Sequence, residues 1–240
     1  MSVTTRIQEL NNRLATNLVS KGVSAEGTET TTELINKVND IESGGTSVIN
    51  PEWTDWRYFS YYDNRNDLVA RLKYSDTANG KNFSNMFYFC SSLTTIPQLD
   101  TSNGTNFGAM FNGCSALTSI LQLSTSNGTN FNGMFSGCTA LTTISLLNMS
   151  SMSDTSYINM FYNCTALENV TFEGTIPVRG NLSVFSYSNK LTVESLMSFI
   201  NALTNMSDTA TYTITIGSTN LAKLTEEQIQ IATDKRITLQ

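Results

Sequence analysis

The sequence predicts an α/β fold: a right-handed solenoid of about six coils, with an N-terminal helical segment and a C-terminal α/β cap. Three observations carry that prediction. A motif recurs every 24 to 26 residues. Its apolar positions fall at helical spacing and are followed by leucines set among threonines and serines, which suit short strands. The two ends of the chain share neither feature.

The motif is Met-Phe-x-x-Cys-x-x-Leu. It stands at Met86/Phe87/Cys90/Leu93, Met110/Phe111/Cys114/Leu117, Met134/Phe135/Cys138/Leu141 and Met160/Phe161/Cys164/Leu167, offset by 24, 24 and 26 residues. Weaker copies flank these at Tyr61/Tyr62/Arg65/Leu68 and Val184/Phe185/Ser188/Leu191. TSNGTNF occurs identically at 101–107 and 125–131. A period near 24 lies in the leucine-rich-repeat range.

Within a copy, Phe83, Met86, Phe87 and Cys90 stand at offsets 0, 3, 4 and 7. Phe107, Phe131 and Tyr157 begin the same pattern. That spacing predicts one face of a two-turn helix, too short to stand without packing. Leu93, Ile96 and Leu99, and their equivalents Leu117, Ile120, Leu123 and Leu141, Ile144, Leu147, predict short strands. Asn103-Gly104 and Asn127-Gly128 predict a reversal through positive φ. The two extra residues of the 26-residue coil, near Asn148–Asp154, are expected to bulge from one edge. No copy buries its apolar residues alone, so the copies must stack.

The four cysteines share one repeat position, 24 and 26 residues apart, which matches no zinc spacing. They read as buried, reduced thiols. A serine at Cys114 is expected to cost about 1–3 kcal/mol, as a buried hydroxyl without an assured partner. No metal and no cofactor is expected.

The ends differ. Ile7, Leu10, Leu14 and Leu18 form an apolar stripe, and Thr30 with Glu33 forms a capping box before a second one. Residues 1–43 thus read as a helical docking or oligomerisation segment, or as an intramolecular cap. Residues 48–191 read as the solenoid with its entry cap, in which Trp53, Trp56, Tyr58 and Tyr61 either seal the stack or contact a ligand or partner. Residues 192–240 read as the terminal cap: a helix capped by Thr192, a strand over 211–216, a second box at Thr225/Gln228, and a strand at Ile237–Leu239.

Composition narrows the function. The chain has 240 residues, 14 basic and 20 acidic, a net charge of -6 and no histidine. Histidine-based triads and zinc-protease chemistry are excluded, and no carboxylate pair at catalytic spacing is evident. The reading is a non-enzymatic protein. Nucleic-acid binding by bulk charge is disfavoured. No apolar run approaches membrane-spanning length, and the first residues lack a secretion signal's apolar stretch. From Asn82 to Val178 there is no Lys or Arg. That neutral hydroxyl and amide surface suits a glycan, or serves only solubility.

MFxGCxALTxI together with TSNGTNFxxMF resembles the BspA-like leucine-rich repeats of bacterial surface proteins and their phage relatives, over about residues 60–191. Leu18–Val23, Leu34–Val38, Leu191–Leu196 and Gly217–Leu224 resemble the terminal segments of phage tail or fibre proteins. The resemblance implies a phage virion structural protein, a tail fibre, baseplate or head fibre, that presents its repeats for host-surface attachment. Its implied partners are other virion proteins, a host glycan or protein, and sister chains, a trimer being possible. It would be made in the host cytoplasm and reside in the virion. The alternative is a bacterial cell-surface adhesin or protein-interaction domain.

Overall fold

Each copy opens on a buried aromatic, and the backbone that follows decides how copies join. The computed structural model describes residues 54–56, 72, 74–152, 156–204 and 210–240. All lie in the unit Pro51–Gln240. The weak copy at Tyr61–Leu68, like residues 1–43, lies outside the described residues.

The expected helix is not there. Residues 83–90, 107–114, 131–138 and 157–164 are runs of turns. The cause is a positive φ two and six residues after the opening aromatic: Asn85 (56°) and Phe89 (57°), Ala109 (52°) and Gly113 (76°), Gly133 (59°) and Gly137 (76°), Asn159 (53°) and Asn163 (57°). Such a residue ends right-handed helix, and at the third place of a turn it meets the type II requirement. Met86 N–H therefore bonds Phe83 O (3.2 Å) and Cys90 N–H bonds Phe87 O (3.1 Å), closing two turns.

The alternate N–H groups leave the copy altogether. Phe83, Asn85, Phe87 and Phe89 donate to the carbonyls of Asn106, Gly108, Met110 and Asn112 at 2.7–3.0 Å. Phe107, Ala109, Phe111 and Gly113 repeat this toward Asn130, Asn132, Met134 and Ser136. Phe131, Gly133, Phe135 and Gly137 repeat it toward Ser156, Ile158, Met160 and Tyr162. A helix would have spent these donors internally. The offsets 0, 3, 4 and 7 still face inward, because a turn every four residues returns side chains to one side much as a helix does. Phe107, Met110, Phe111 and Cys114 are all fully buried.

Stacking continues through the side chains. The Phe83, Phe107 and Phe131 rings lie 5.6–5.7 Å apart. Phe87, Phe111, Phe135, Phe161 and Phe185 form a second column at 5.3–5.7 Å. Parallel bridges join Asp55 to Asn82, Asn82 to Asn106, and Asn106 to Asn130.

The reversal before each ring differs from expectation. Gly104 N–H bonds Thr101 O and Gly128 N–H bonds Thr125 O, both at 2.8 Å, but neither glycine has a positive φ. What the glycine supplies is a missing Cβ. A methyl at Gly104 or Gly128 would overlap the ring of Phe107 or Phe131 and lie 2.9 Å from the Thr101 or Thr125 carbonyl.

Among the described residues, strands form only in the later copies. β1 (Thr143–Asn148) pairs in parallel with β2 (Asn169–Glu173), Thr143 opposite Asn169. The 117–123 segment makes one bridge, Ser119 to Thr143. In 93–99 Pro97 removes a donor. The longer coil does not simply bulge. Its Met149 and Met152 are buried, and Met149 N–H bonds Glu173 O at 2.8 Å, while residues 153–155 lie outside the described residues.

The C-terminal cap follows its sequence signals. β3 (Leu182–Ser183), β4 (Tyr212–Thr215) and β5 (Ile237–Leu239) make a parallel sheet in that order. Thr192 caps α1 (Val193–Ala202), and α2 (Ser218–Leu221) follows Gly217. Thr225 and Gln228 close a capping box on α3 (Glu226–Asp234). Lys235 Nζ donates to the carbonyls of Ile200, Asn201 and Leu203 at 2.7–3.0 Å, tying down the C-terminal end of α1.

Two substitutions separate the glycine roles. Ala109→Gly relieves a left-handed alanine and should stabilise by about 0.5–1 kcal/mol, the relief being partly offset by added unfolded-state entropy. Gly128→Ala should destabilise by about 1–3 kcal/mol through overpacking. Urea denaturation midpoints check both.

Candidate functional site

In each turn run, offsets 2, 5 and 6 face outward; offset 1 does so at Asn132 and Ile158 but is buried at Ser84 and Gly108. In the central copies these positions hold small or amide residues: Ala109, Asn112 and Gly113, then Asn132, Gly133, Ser136 and Gly137. In the flanking copies several of them hold large ones. Phe89 is 44% exposed, Ile158 42%, Tyr162 40% and Tyr187 63%. The result is a shallow trough of about 450 Å³ over Asn112, Asn132, Gly133, Ser136, Ile158 and Asn159. The Phe89 ring lies over Gly113, where a Cβ would come within 2.9 Å of its Cγ. Tyr162 and Tyr187 meet edge to face at 5.3 Å beside a second recess of about 460 Å³ that Ser218 and Thr219 also line.

The trough lining carries no charge. Several of its polar atoms are also unspent. Asn132 Oδ1 accepts from Ile158 N–H at 2.8 Å, which leaves its amide nitrogen. Asn112 Nδ2 makes only a 3.5 Å contact with Gly133 O. Among the described residues, neither the Ser136 hydroxyl nor the Asn159 side chain has a protein partner. The hydroxyls elsewhere on the stack are different. Thr105 and Thr129 donate to the carbonyls of Lys81 and Thr105, and Ser115, Thr139 and Thr165 to those of Ser91, Ser115 and Thr139. Those hydroxyls brace neighbouring copies.

The cysteines are buried and form no disulfide. Cys114 Sγ donates to Phe87 O at 3.0 Å, Cys138 to Phe111 O at 3.1 Å and Cys164 to Phe135 O at 2.9 Å. At Ser188, in the next copy, a hydroxyl takes the same place on Phe161 O. Burial pushes the Cys114 and Cys138 thiols up and the Cys164 thiol to about 12, so none of these three is a ready nucleophile. Burial also raises the Tyr157 phenol, whose hydroxyl donates to Pro177 O at 2.8 Å. Among the described residues, no group of three His, Cys, Asp or Glu side chains could hold a metal ion.

Of the aromatics expected at the entry, Trp56 is buried to 1% exposure, its backbone N–H donating to Asn82 O at 2.7 Å. Trp53, Tyr58 and Tyr61 lie outside the described residues, as does the stripe of Ile7, Leu10, Leu14 and Leu18. The trough residues escaped the sequence reading because they are the small ones. The signal was the glycine or asparagine at offsets 2 and 6, and the copies where an aromatic replaces a small residue at offsets 5 and 6.

Residues 129–229 match the family described as a BspA type leucine rich repeat region (6 copies). Over those residues the chain is similar to BspA-type leucine-rich repeats. Residues 57–174 match a second family, described as a Mycoplasma protein of unknown function, DUF285. No curated protein and no solved structure matches the chain. BspA-type repeats suggest a surface or protein-interaction repeat domain.

Two expectations follow from the thiol ladder. Ser188 shows that the stack accepts a hydroxyl at the cysteine position. Cys114→Ser should therefore cost less than about 1 kcal/mol, below the sequence-based expectation, because Phe87 O receives the proton. Denaturant titration checks it. The second expectation concerns alkaline pH. Below about 8.5 folded and unfolded chains both keep their thiol protons. Above it only the unfolded chain loses them, so stability falls as pH rises toward 12. Each raised thiol contributes up to about 1.4 kcal/mol per pH unit. Urea midpoints measured across the alkaline range should drop steadily, and a flat profile would contradict the burial.

Proposed function

We propose that this chain is a non-catalytic attachment domain whose BspA-type repeats present one face to a cell surface. The observation that carries the reading is the uncharged, amide-lined trough, set on copies of the repeat joined by four backbone bonds at each of the interfaces beneath it. Rigid outward faces of stacked repeats suit extended recognition. The whole stack is proposed as a right-handed solenoid of about six coils, supported by the parallel bridges and the ring columns. The proposed carrier is a phage virion, as a tail fibre, baseplate or head fibre, with residues 1–43 docking or oligomerising and residues 192–240 closing the far end. The resemblance of both ends to phage fibre proteins supports this. A bacterial cell-surface adhesin is the second reading, favoured by the BspA-type match itself.

The attachment reading is tested with the full chain displayed on beads and incubated with candidate host cells. Retention on the cells is expected, and its absence at high display density removes the reading. The carrier is tested separately by purifying intact particles and probing them for this chain. Recovery with the particle is expected, and recovery from the cell surface alone selects the adhesin. Deleting residues 1–43 should lower the mass seen by light scattering if sister chains are the docking partner.

A further inference from the structure

We propose that the trough is a subsite for a neutral oligosaccharide. Pyranose hydroxyls would bond to Asn112, Asn132, Ser136 and Asn159, and an apolar sugar face would lie toward Ile158. The inference rests on the attachment reading and gives that face a ligand class.

Three observations select the class. The first is charge. No Lys or Arg stands between Asn82 and Val178, so a phosphorylated or otherwise anionic ligand would find no counter-charge. The second is the unspent polarity. Amide and hydroxyl groups supply both donors and acceptors in a small area, with the Ser136 and Asn159 side chains unpaired among the described residues. An apolar ligand would strip water from these groups and return nothing, which is costly. A ligand studded with hydroxyls would satisfy them. The third is the span. The lining comes from three successive copies, with Asn112 in the first, Asn132 and Ser136 in the second and Asn159 in the third, and Ile158 supplies a 42% exposed apolar side chain. Two repeat steps of about 4.8 Å make about 10 Å, a length for a short oligosaccharide of two units. An apolar side chain packs against the C–H face of a sugar while the equatorial hydroxyls stay free for the amides.

The floor is also fixed in advance. Gly133 and Asn159 hold positive φ, and the N–H groups of Gly133, Phe135 and Gly137 are anchored to Ile158, Met160 and Tyr162. Little ordering remains to be done when a ligand arrives.

The experiment titrates the full chain, by calorimetry and saturation-transfer NMR, with neutral glucose, galactose and N-acetylglucosamine oligomers up to millimolar concentration. At least one series should bind, with an affinity insensitive to salt. Ser136→Tyr fills the trough, and Asn112→Ala removes an amide held only by its 3.5 Å contact. Each should weaken binding roughly tenfold or more. Leu121→Ala, at a 53% exposed side chain outside the trough lining, should leave it unchanged. Circular dichroism confirms folding, and if Ser136→Tyr does not fold, Asn112→Ala carries the test. Absence of binding by every series overturns the inference, as does binding that trough variants leave intact. Cell retention of the bead-displayed chain separates the failures. Retention without sugar binding leaves attachment standing with a protein partner, and loss of both removes the two readings together.

Discussion

The repeat stack depends on the backbone N–H groups that each copy sends into the next. In a helix-per-repeat design those donors close the helix, and copies adhere only through side chains. Here the left-handed residues at offsets 2 and 6 break the helix and turn four donors outward. A left-handed alanine or asparagine costs about 1–2 kcal/mol. Burying the three large inward side chains of a copy is worth about 1.5–3 kcal/mol each, so the strain is the smaller effect. A copy without its neighbour would hold both the strain and a row of unpaired donors, which is why the stack must be made together.

The aromatic columns and the glycines answer to that spacing. Rings at 5.3–5.7 Å follow from backbones joined at hydrogen-bond distance. Gly80, Gly104 and Gly128 each sit three residues before a ring, where any Cβ would overlap it. The cysteine position belongs to the same arithmetic. It requires something small that donates to the carbonyl of the preceding copy, which sulfur does three times and Ser188 once.

Much of this was legible in the residues. The period, the inward set from Phe83 to Cys90, and the caps at Thr192 and Thr225 are local or periodic signals, and the structure has them where the spacing puts them. The helix was not legible, because offsets 0, 3, 4 and 7 are shared by a helix and by turns repeated every four residues. Only the outward residues distinguish them, and the glycines at 113, 133 and 137 carried that information. The Asn-Gly pair misled in a related way. It suggested positive φ, whereas the residue was chosen for its missing side chain. The trough was hidden for another reason: Asn112, Asn132, Ser136 and Asn159 come from three copies and meet only through stacking.

The two identical TSNGTNF stretches at 101–107 and 125–131 have a consequence for how such a chain changes over time. Interior copies exchange equivalent bonds with equivalent neighbours, so each interface is blind to how many others exist. Recombination between the matching gene segments would add or remove one 24-residue unit and recreate an interface already present. Length is then the variable easiest to alter by inheritance, while the ends, each made once, hold constant.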